Sequence, residues 1–188
     1  MSEADRLKWD ERWRERGADP GEPSALLTSL ADLLPTRGRA LDAGGGAGRH
    51  ALWLARRGLD VTVADVSPVA LTLARDAAAR EGLPLHTSAL DLEHDALPAG
   101  PWDLILSFHY FERALLPAFA SALAPGGVLV VVQQTRSNLL RHGHPSSRFL
   151  LEDGELARLV PHGLSVVRSE EGWLGEGRHE ARIVARRA

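Results

Sequence analysis

Short apolar runs alternate with amphipathic segments along the chain, in the pattern of an α/β protein. Five of these runs have the length of a strand, and the fifth is apolar throughout, as expected of a strand covered on both faces. Two further strand patterns come near the end of the sequence. The seven predicted strands are residues 39–43, 60–65, 84–90, 102–108, 128–134, about 164–172 and about 178–186.

Six helical segments lie before, between and after these strands. Ser24 is a good N-terminal cap for the second helix, which Pro35 ends, and Pro68 suits the first turn of the fourth helix. The predicted helices are residues 3–16, 24–34, 48–57, 68–81, 114–123 and 153–160.

This alternation predicts an α/β fold, doubly wound, with a seven-stranded, mostly parallel sheet. The last two strands are joined through "LGEG" (174–177), which predicts a C-terminal antiparallel hairpin. At 188 residues the chain is expected to form a single domain, with a helix and loop at 1–23 and the core at 24–188.

Composition and charge exclude several classes of protein. The chain has a net charge of −3 and no cysteine, so disulfides, thiolate metal sites and a cysteine nucleophile are excluded. A nucleic-acid surface would usually be strongly basic, and we therefore do not expect nucleic acid as a partner. No apolar run reaches the roughly 18 residues of a membrane span, and the charged start is no signal peptide. We expect a cytoplasmic protein without a membrane partner.

Four glycines within five positions follow the first predicted strand, in "LDAGGGAGRH" (41–50). Gly44 and Gly46 allow the backbone to approach a ligand closely, and Gly48 allows close packing of helix on strand. Asp65 ends the second strand 21 positions after Gly44. A carboxylate at that spacing accepts hydrogen bonds from both hydroxyls of a ribose. The pattern predicts a cofactor that contains adenosine.

Two features separate the candidate cofactors. A dinucleotide-binding loop has glycine at a third fixed position, where this chain has Arg49. A dehydrogenase also needs a substrate domain, for which a chain of this length has no room. Glycines spaced Gly-x-Gly-x-Gly, with Asp42 two residues before them, favour S-adenosylmethionine over NAD.

The sequence resembles the class I S-adenosylmethionine-dependent methyltransferases over nearly its whole length. The resemblance is carried by residues 41–71, by "LDLE" (90–93), by residues 102–131 and by "RFLLEDGELARL" (148–159). "WDERWRERG", "GRHALWLA" and "FLLEDGEL" are most similar to the small tellurite-resistance-type branch. His50 departs from that branch, which often has asparagine at this position.

The resemblance implies a cofactor pocket along the carboxyl ends of the strands. The glycine loop would hold the methionine part, and acidic residues would bind the ribose and the adenine amino group. The implied cofactor-binding residues are Asp42, Gly44, Gly46 and Arg49 at the methionine end, Asp65 at the ribose, Val66, Asp91 and Leu92 at the adenine, and Ser107 beside the sulfonium. For Asp91, a solvated acidic run is the alternative.

The segment "SFHYFER" (107–113) ends the fourth strand and carries the candidate catalytic residues. His109 has the pKa range to deprotonate an acceptor or to donate a proton to it, with packing as the alternative. Tyr110 and Phe108 could face the cationic sulfonium, although core packing suits Phe108 equally well. The resemblance also implies that the first helix caps the pocket, with Trp13 as a lid residue or simply docked on the core.

Five basic residues and no acid lie between positions 134 and 149, namely Arg136, Arg141, His142, His144 and Arg148. This basic segment (136–148) is either a cationic mouth for an anionic substrate or a solvated loop. Its His-x-His pair has no identifiable third ligand, so we predict no metal.

These residues predict methyl transfer from S-adenosylmethionine to a small-molecule acceptor, with release of S-adenosylhomocysteine. The branch resemblance suggests a tellurite- or selenite-like oxyanion or another small nucleophile. Two alternatives stay open: an RNA or protein methyltransferase that uses the basic segment, and a non-catalytic sensor or partner subunit that binds the cofactor. A nicotinamide-dependent enzyme is disfavoured by Arg49 and by the length. The sequence predicts no oligomeric state.

Overall fold

Seven strands form one sheet in the computed structural model, which describes residues 3–174 and 177–188. Each of them overlaps a predicted strand, because apolar and β-branched runs suit a buried pleated surface. The strands are β1 (Arg39–Ala43), β2 (Asp60–Asp65), β3 (Leu85–Ala89), β4 (Trp102–Phe108), β5 (Leu123–Gln134), β6 (Leu164–Leu174) and β7 (Arg178–Arg187).

The strand order is β3-β2-β1-β4-β5-β7-β6, so the winding of the sheet reverses between β1 and β4. Strands β1 to β5 are parallel to one another, and β7 is antiparallel to both of its neighbours, β5 and β6. The predicted seven-stranded, mostly parallel sheet with a C-terminal antiparallel hairpin is confirmed. Of the predicted hairpin connection, Gly175 and Glu176 lie outside the described residues.

Six α-helices accompany the sheet, and none in the described part of the chain is long and apolar enough to cross a membrane. The Ser24 cap is confirmed, because its Oγ accepts a hydrogen bond from the backbone N–H of Leu27 at 3.2 Å. The helices are α1 (Glu3–Arg16), α2 (Ala25–Ser29), α3 (Arg49–Arg56), α4 (Pro68–Glu81), α5 (Leu115–Ala122) and α6 (Glu155–Arg158).

The second helix is shorter than predicted, since α2 ends at Ser29 and a 3-10 turn follows at Ala31–Leu33. The N–H of Leu30 donates to the carbonyls of both Leu26 and Leu27 at 3.2 Å, which tightens the last turn. The tightening places Leu27 and Leu30 in the core at 0% and 1% exposure. The turn that Leu30 closes is therefore the end of the helix.

Two other predicted boundaries are wrong for local reasons. Helix α6 cannot include Gly154, whose φ is +72°, so it covers four residues in place of the predicted 153–160. Strand β5 begins at Leu123 and not at the predicted position 128, because Leu123 pairs with Trp102 of β4.

The apolar core lies on both faces of the sheet. Alternate residues of β4 point to opposite faces, so Leu104 packs in the cluster of α2 and α3, and Ile105 packs in the cluster of α5 and α6. With both faces covered, the carboxyl ends of the parallel strands form the edge at which ligands bind in such folds.

Candidate active site

The turn from β1 to α3, residues 44–48, is left-handed at three glycines and is called the glycine loop below. The angle φ is +70° at Gly44 and +57° at Gly46, a region that side chains rarely adopt. A Cβ atom at Gly44 would lie 2.4 Å from Cβ of Tyr110, and one at Gly46 would lie 2.4 Å from Cζ2 of Trp13. Bare backbone therefore faces two aromatic side chains, and only glycine is compatible with this approach.

Gly48 also approaches a neighbour closely, but the neighbour is not the predicted one. A Cβ atom at this position would lie 3.1 Å from Cβ of Ala74, in α4. The close contact is therefore between the start of α3 and α4, and not between helix and strand.

Asp65, the last residue of β2, holds the glycine loop from the side. Its Oδ2 accepts from the N–H of Gly46 and its Oδ1 from the N–H of Ser67, both at 2.9 Å. Burial raises the pKa of Asp65, and these backbone hydrogen bonds oppose the rise. Each carboxylate oxygen can accept a second hydrogen bond, as ribose hydroxyls would require. Val66, the next residue, is half-buried.

Asp42 is buried beneath the glycine loop, with 1% of its surface exposed. Burial raises its pKa to about 7; the charge of Asp65 adds to the rise, and that of Arg49 opposes it. Its Oδ2 has no hydrogen-bond partner among the described residues. A buried carboxylate oxygen in this state is costly, so the site suits a ligand that brings a hydrogen-bond donor or a positive charge to the loop.

Helix α1 lies across the glycine loop. Asp10 is 3% exposed and accepts hydrogen bonds from Oγ of Ser67 at 2.5 Å and from Nη1 of Arg6 at 3.1 Å. Trp13, about one turn later, is the side chain that covers Gly46. The structure thus places α1 where a cap was expected. Asp10 escaped the sequence analysis, because one acid among the balanced charges of this helix gives no signal.

The turn after β3 carries the two residues expected at the adenine. Oδ1 of Asp91 accepts from the N–H of Glu93 at 3.0 Å, and Oδ2 lies 2.7 Å from Nδ1 of His94. Leu92 is 4% exposed and belongs to the same apolar cluster as Ala64 of β2. The acidic run is therefore folded on itself by local hydrogen bonds, beside the end of β2.

Strand β4 ends next to the glycine loop in a tight turn. Ser107 is 1% exposed, and its Oγ donates to the carbonyl of Tyr110 at 2.5 Å. His109 has a φ of +58°, and no other non-glycine residue of the described chain has a positive φ. Its backbone N–H donates to the carbonyl of Val132 at 2.8 Å. A strained backbone at a histidine is a sign of functional constraint.

Tyr110 lies against the glycine loop with its ring partly buried. Its hydroxyl is buried and has no hydrogen-bond partner within the described part of the chain. Burial raises the pKa of Tyr110, and the charges of Glu93 and Asp91 raise it further. The phenol therefore stays protonated and can donate a hydrogen bond, but it is not a base.

A cavity of about 250 Å³ opens at the carboxyl ends of β4 and β5, on the side of the sheet that carries α2. Its apolar wall is formed by Leu26, Phe108 and Val132, together with Ala25. Because Arg49 directly follows the glycine loop and His109 follows β4, the cavity adjoins the loop. The polar residues that line it are Ser24, Ser29, Arg49, His109, Arg168, Glu180 and Arg182.

Glu180 of β7 is a buried carboxylate in this cavity. Its side chain is 7% exposed; Oε1 lies 3.7 Å from Nε2 of His109, and Oε2 accepts from Nη2 of Arg182 at 2.9 Å. A carboxylate beside an imidazole orients the ring and stabilises its protonated form. Neither Glu180 nor Arg182 is recognisable as a site residue from the sequence, since alternating charges usually mark an exposed strand.

His50, in the first turn of α3, is buried next to the end of β4. Its ring packs against Phe108 with 4.4 Å between the ring centres. Burial lowers the pKa of His50 to about 3, and the charges of Arg49 and His109 lower it further. The imidazole is therefore neutral near pH 7.

The basic segment does not line the cavity. Arg136 pairs with Glu152 at 2.6 Å, and Arg148 pairs with Asp5 of α1 at 2.8 Å. Arg141 lies 3.9 Å from the ring centre of Trp173. Of the two interpretations of this segment, a surface loop with compensated charges fits the structure. The cations of the cavity come from three other places in the sequence.

Two groups of side chains in the described part of the chain bring possible metal-ligand atoms within 4.8 Å of one another. In both groups at least two of the three residues are exposed, and carboxylates in both hold local hydrogen bonds, so we assign a metal to neither. The groups are Asp91, Glu93 and His94, and Asp153, Glu171 and His179.

Comparison with known proteins agrees with this geometry. Residues 40–127 match the family model described as a methyltransferase domain. The chain is 34% identical over 130 residues to tRNA 5-carboxymethoxyuridine methyltransferase of Escherichia coli K12, covering 64% of this chain and 49% of the relative. It is 34% identical over 170 residues to glycine/sarcosine N-methyltransferase of Halorhodospira halochloris, covering 82% and 60%. The chain thus spans only 49% and 60% of the length of these two curated relatives.

The fold also resembles that of a tellurite-resistance protein. The crystal structure of TehB from Haemophilus influenzae superposes with a TM-score of 0.74 at 20% identity, over 88% of this chain and 63% of that one. Identity at this level shows a shared fold and does not identify a branch. The glycine loop, the unsatisfied oxygen of Asp42 and the carboxylate of Asp65 fit an adenosyl sulfonium. The chain belongs to the methyltransferases, and its fold is that of the S-adenosylmethionine-dependent class.

Proposed function

We propose that this domain transfers a methyl group from S-adenosylmethionine to a small-molecule acceptor bound in the cavity at the ends of β4 and β5. The observation that carries the proposal is the cavity itself. Its volume of about 250 Å³ lies just below the roughly 300–1,000 Å³ of pockets for drug-sized ligands. Its walls include Arg49 and His109, which place it beside the glycine loop.

The cofactor would be held by the residues that the sequence analysis named. Backbone at the glycine loop, with Arg49 and Asp42, would bind the amino-acid end, and Asp65 would accept from the ribose hydroxyls. Val66, Asp91 and Leu92 would surround the adenine, with Ser107 near the sulfonium. Trp13 of α1 would cover the bound cofactor, since it already lies over Gly46.

When bound, S-adenosylmethionine would supply an electrophilic methyl group to the acceptor's lone pair; the products would be the methylated acceptor, S-adenosylhomocysteine and a proton from the acceptor. His109 takes that proton in our proposal, because its imidazole lines the cavity 3.7 Å from Glu180, which would stabilise the imidazolium. In our proposal the hydroxyl of Tyr110 donates a hydrogen bond to the bound ligand, and its ring excludes water from the site. Alignment of the reacting groups supplies much of the remaining rate enhancement.

An RNA acceptor is the second candidate, because one relative by its name acts on tRNA. The other relative by its name acts on glycine and sarcosine, which are small molecules. The described part of the basic segment has its arginines paired with acids or stacked on an aromatic ring, which favours the small acceptor. A cytoplasmic location stays our prediction.

Calorimetric titration with S-adenosylhomocysteine tests the cofactor site. Asp65→Asn should weaken binding at least 100-fold. In the wild type, the carboxylate of Asp65 holds two backbone N–H groups, and it would also accept from the ribose hydroxyls. Asp60→Asn, at the other end of the same strand, is the matched control and should bind as the wild type does.

Incubation with S-adenosylmethionine and either a pool of small nucleophiles or total tRNA tests the acceptor. Methylated products and S-adenosylhomocysteine are measured by mass spectrometry. Methylation of small molecules, reduced at least tenfold in His109→Gln with unchanged cofactor affinity, supports the proposal. Methylation of tRNA alone, or cofactor binding with no turnover of either class, contradicts it.

A further inference from the structure

Three guanidinium groups and one carboxylate line the cavity beside the glycine loop. Arg49 comes from the start of α3, Arg168 from β6 and Arg182 from β7, and Glu180 is the lining acid. The lining residues therefore carry an excess of positive charge at neutral pH. In a partly enclosed space with low-dielectric walls, such an excess concentrates anions.

The pairing of Arg182 leaves it able to bind a ligand. Its Nε and Nη2 both donate to one oxygen of Glu180, at 3.2 Å and 2.9 Å. A guanidinium has five N–H donors in a planar arrangement that matches a carboxylate. Because its side chain is only 16% exposed, a ligand bound here interacts with it away from bulk water.

Arg168 pairs with a carboxylate as Arg182 does, but it is more exposed to solvent. It pairs with Glu170 on its own strand at 2.6 Å, and its side chain is 44% exposed. Ion pairs that solvent reaches contribute little to stability, so an incoming carboxylate can compete with Glu170. Arg168 of β6 and Arg182 of β7 both line the cavity from these neighbouring strands.

The size and the apolar wall exclude a bare inorganic oxyanion as the best occupant. About 10–15 Å³ of cavity volume is enough for one water molecule, so a cavity of about 250 Å³ has room for an occupant much larger than a small anion. Leu26, Phe108 and Val132 offer contacts that only carbon atoms would satisfy.

We propose that the acceptor is a small organic carboxylate. Its anionic group binds to Arg182 and Arg168, its carbon skeleton packs against Phe108 and Val132, and its nucleophile faces His109. This inference rests on the proposed function, since it names the class of acceptor for the same site.

The test is calorimetric titration of protein saturated with S-adenosylhomocysteine, using matched pairs of carboxylate and amide. The probes are 4-hydroxybenzoate with 4-hydroxybenzamide, 3-mercaptopropionate with 3-mercaptopropionamide, glycine with glycinamide, and sodium selenite as the inorganic anion. At least one carboxylate should bind tenfold or more tightly than its amide and than selenite. Arg182→Gln and Arg168→Gln should each reduce that preference at least fivefold.

Arg186→Gln is the matched control, because Arg186 lies on β7 with its side chain against the carbonyls of Gly126 and Leu33. It should keep the wild-type preference. Arg168→Gln keeps the test valid if Arg182→Gln fails to fold. Equal binding of carboxylate and amide, tighter binding of selenite, or no binding of any carboxylate overturns the proposal. Failure of S-adenosylhomocysteine to bind overturns the methyltransferase proposal itself, and the titration of the cofactor detects that outcome separately.

Discussion

The cofactor side and the acceptor side of the site are built in different ways. On the cofactor side, the loop at 42–49 and the turn at 65–67 supply mainly backbone atoms, held by Asp65. On the acceptor side, side chains meet from six parts of the chain: 24–29, 49, 108–109, 132, 168 and 180–182. In our proposal, contiguous backbone binds the cofactor, which is the part of the ligand common to the family, and scattered side chains surround the acceptor cavity.

The difference has a consequence for how substitutions act. A substitution in the glycine loop alters backbone geometry that only glycine adopts readily, so its effect on cofactor binding should be large. A change on the acceptor side removes one charge or contact among several, so its effect should be smaller and should depend on the ligand.

The largest effect is expected at Gly46. Gly46→Ala places a Cβ atom 2.4 Å from Trp13 at a φ of +57°, and we expect at least 100-fold weaker binding of S-adenosylhomocysteine in calorimetry. Gly82→Ala is the matched control, because φ is +66° there and no atom lies within 4 Å of the new Cβ. Equal losses in both variants would mean that backbone strain, and not the cofactor site, is responsible.

The buried titratable groups Asp42 and His50 should give opposite pH dependences of stability. Between about pH 4 and pH 7 the folded protein holds a proton on Asp42 that the unfolded chain has lost, so this group lowers stability as pH rises. Between about pH 6.5 and pH 3 the unfolded chain protonates His50 and the folded protein does not. This group therefore lowers stability as pH falls.

Thermal unfolding of Asp42→Asn and His50→Gln without ligand separates the two groups. Relative to wild type, Asp42→Asn should gain stability from about pH 4 to pH 7, by at most roughly 1.4 kcal/mol per pH unit. Over the range from pH 6.5 downwards, His50→Gln should gain stability relative to wild type as pH falls. Parallel curves for a variant and wild type would contradict the shift assigned to that group.

The smallest effect is expected in the basic segment. Arg136 and Arg148 pair with Glu152 and Asp5, and both arginine side chains are more than half exposed. Arg136→Gln and Arg148→Gln should each lower the melting temperature by about a degree or two. Each should change the rate of turnover of a small acceptor less than twofold. A loss of more than fivefold in turnover would restore this segment as a substrate surface.

Much of the cofactor side was predictable because its requirements are local. The glycine spacing, the acid that ends β2 and the alternation of strands and helices follow from backbone preferences within a few residues. The end of α2 was not predicted in this way, because the helix ends in the turn that Leu30 closes, with Leu27 and Leu30 buried. The cap by α1 was expected, but its attachment through Asp10 and Ser67 was not.

By itself, the sequence determined the fold class, the position of the glycine loop and the presence of Asp65 beside it, since these depend on neighbouring residues and the regular periods of strand and helix. Only the tertiary structure decided that Glu180 meets His109, that Arg168 and Arg182 line the cavity, and that the basic segment is compensated. The partners in these contacts are tens of residues apart, and their pairing depends on strand order and on which side chains the fold buries.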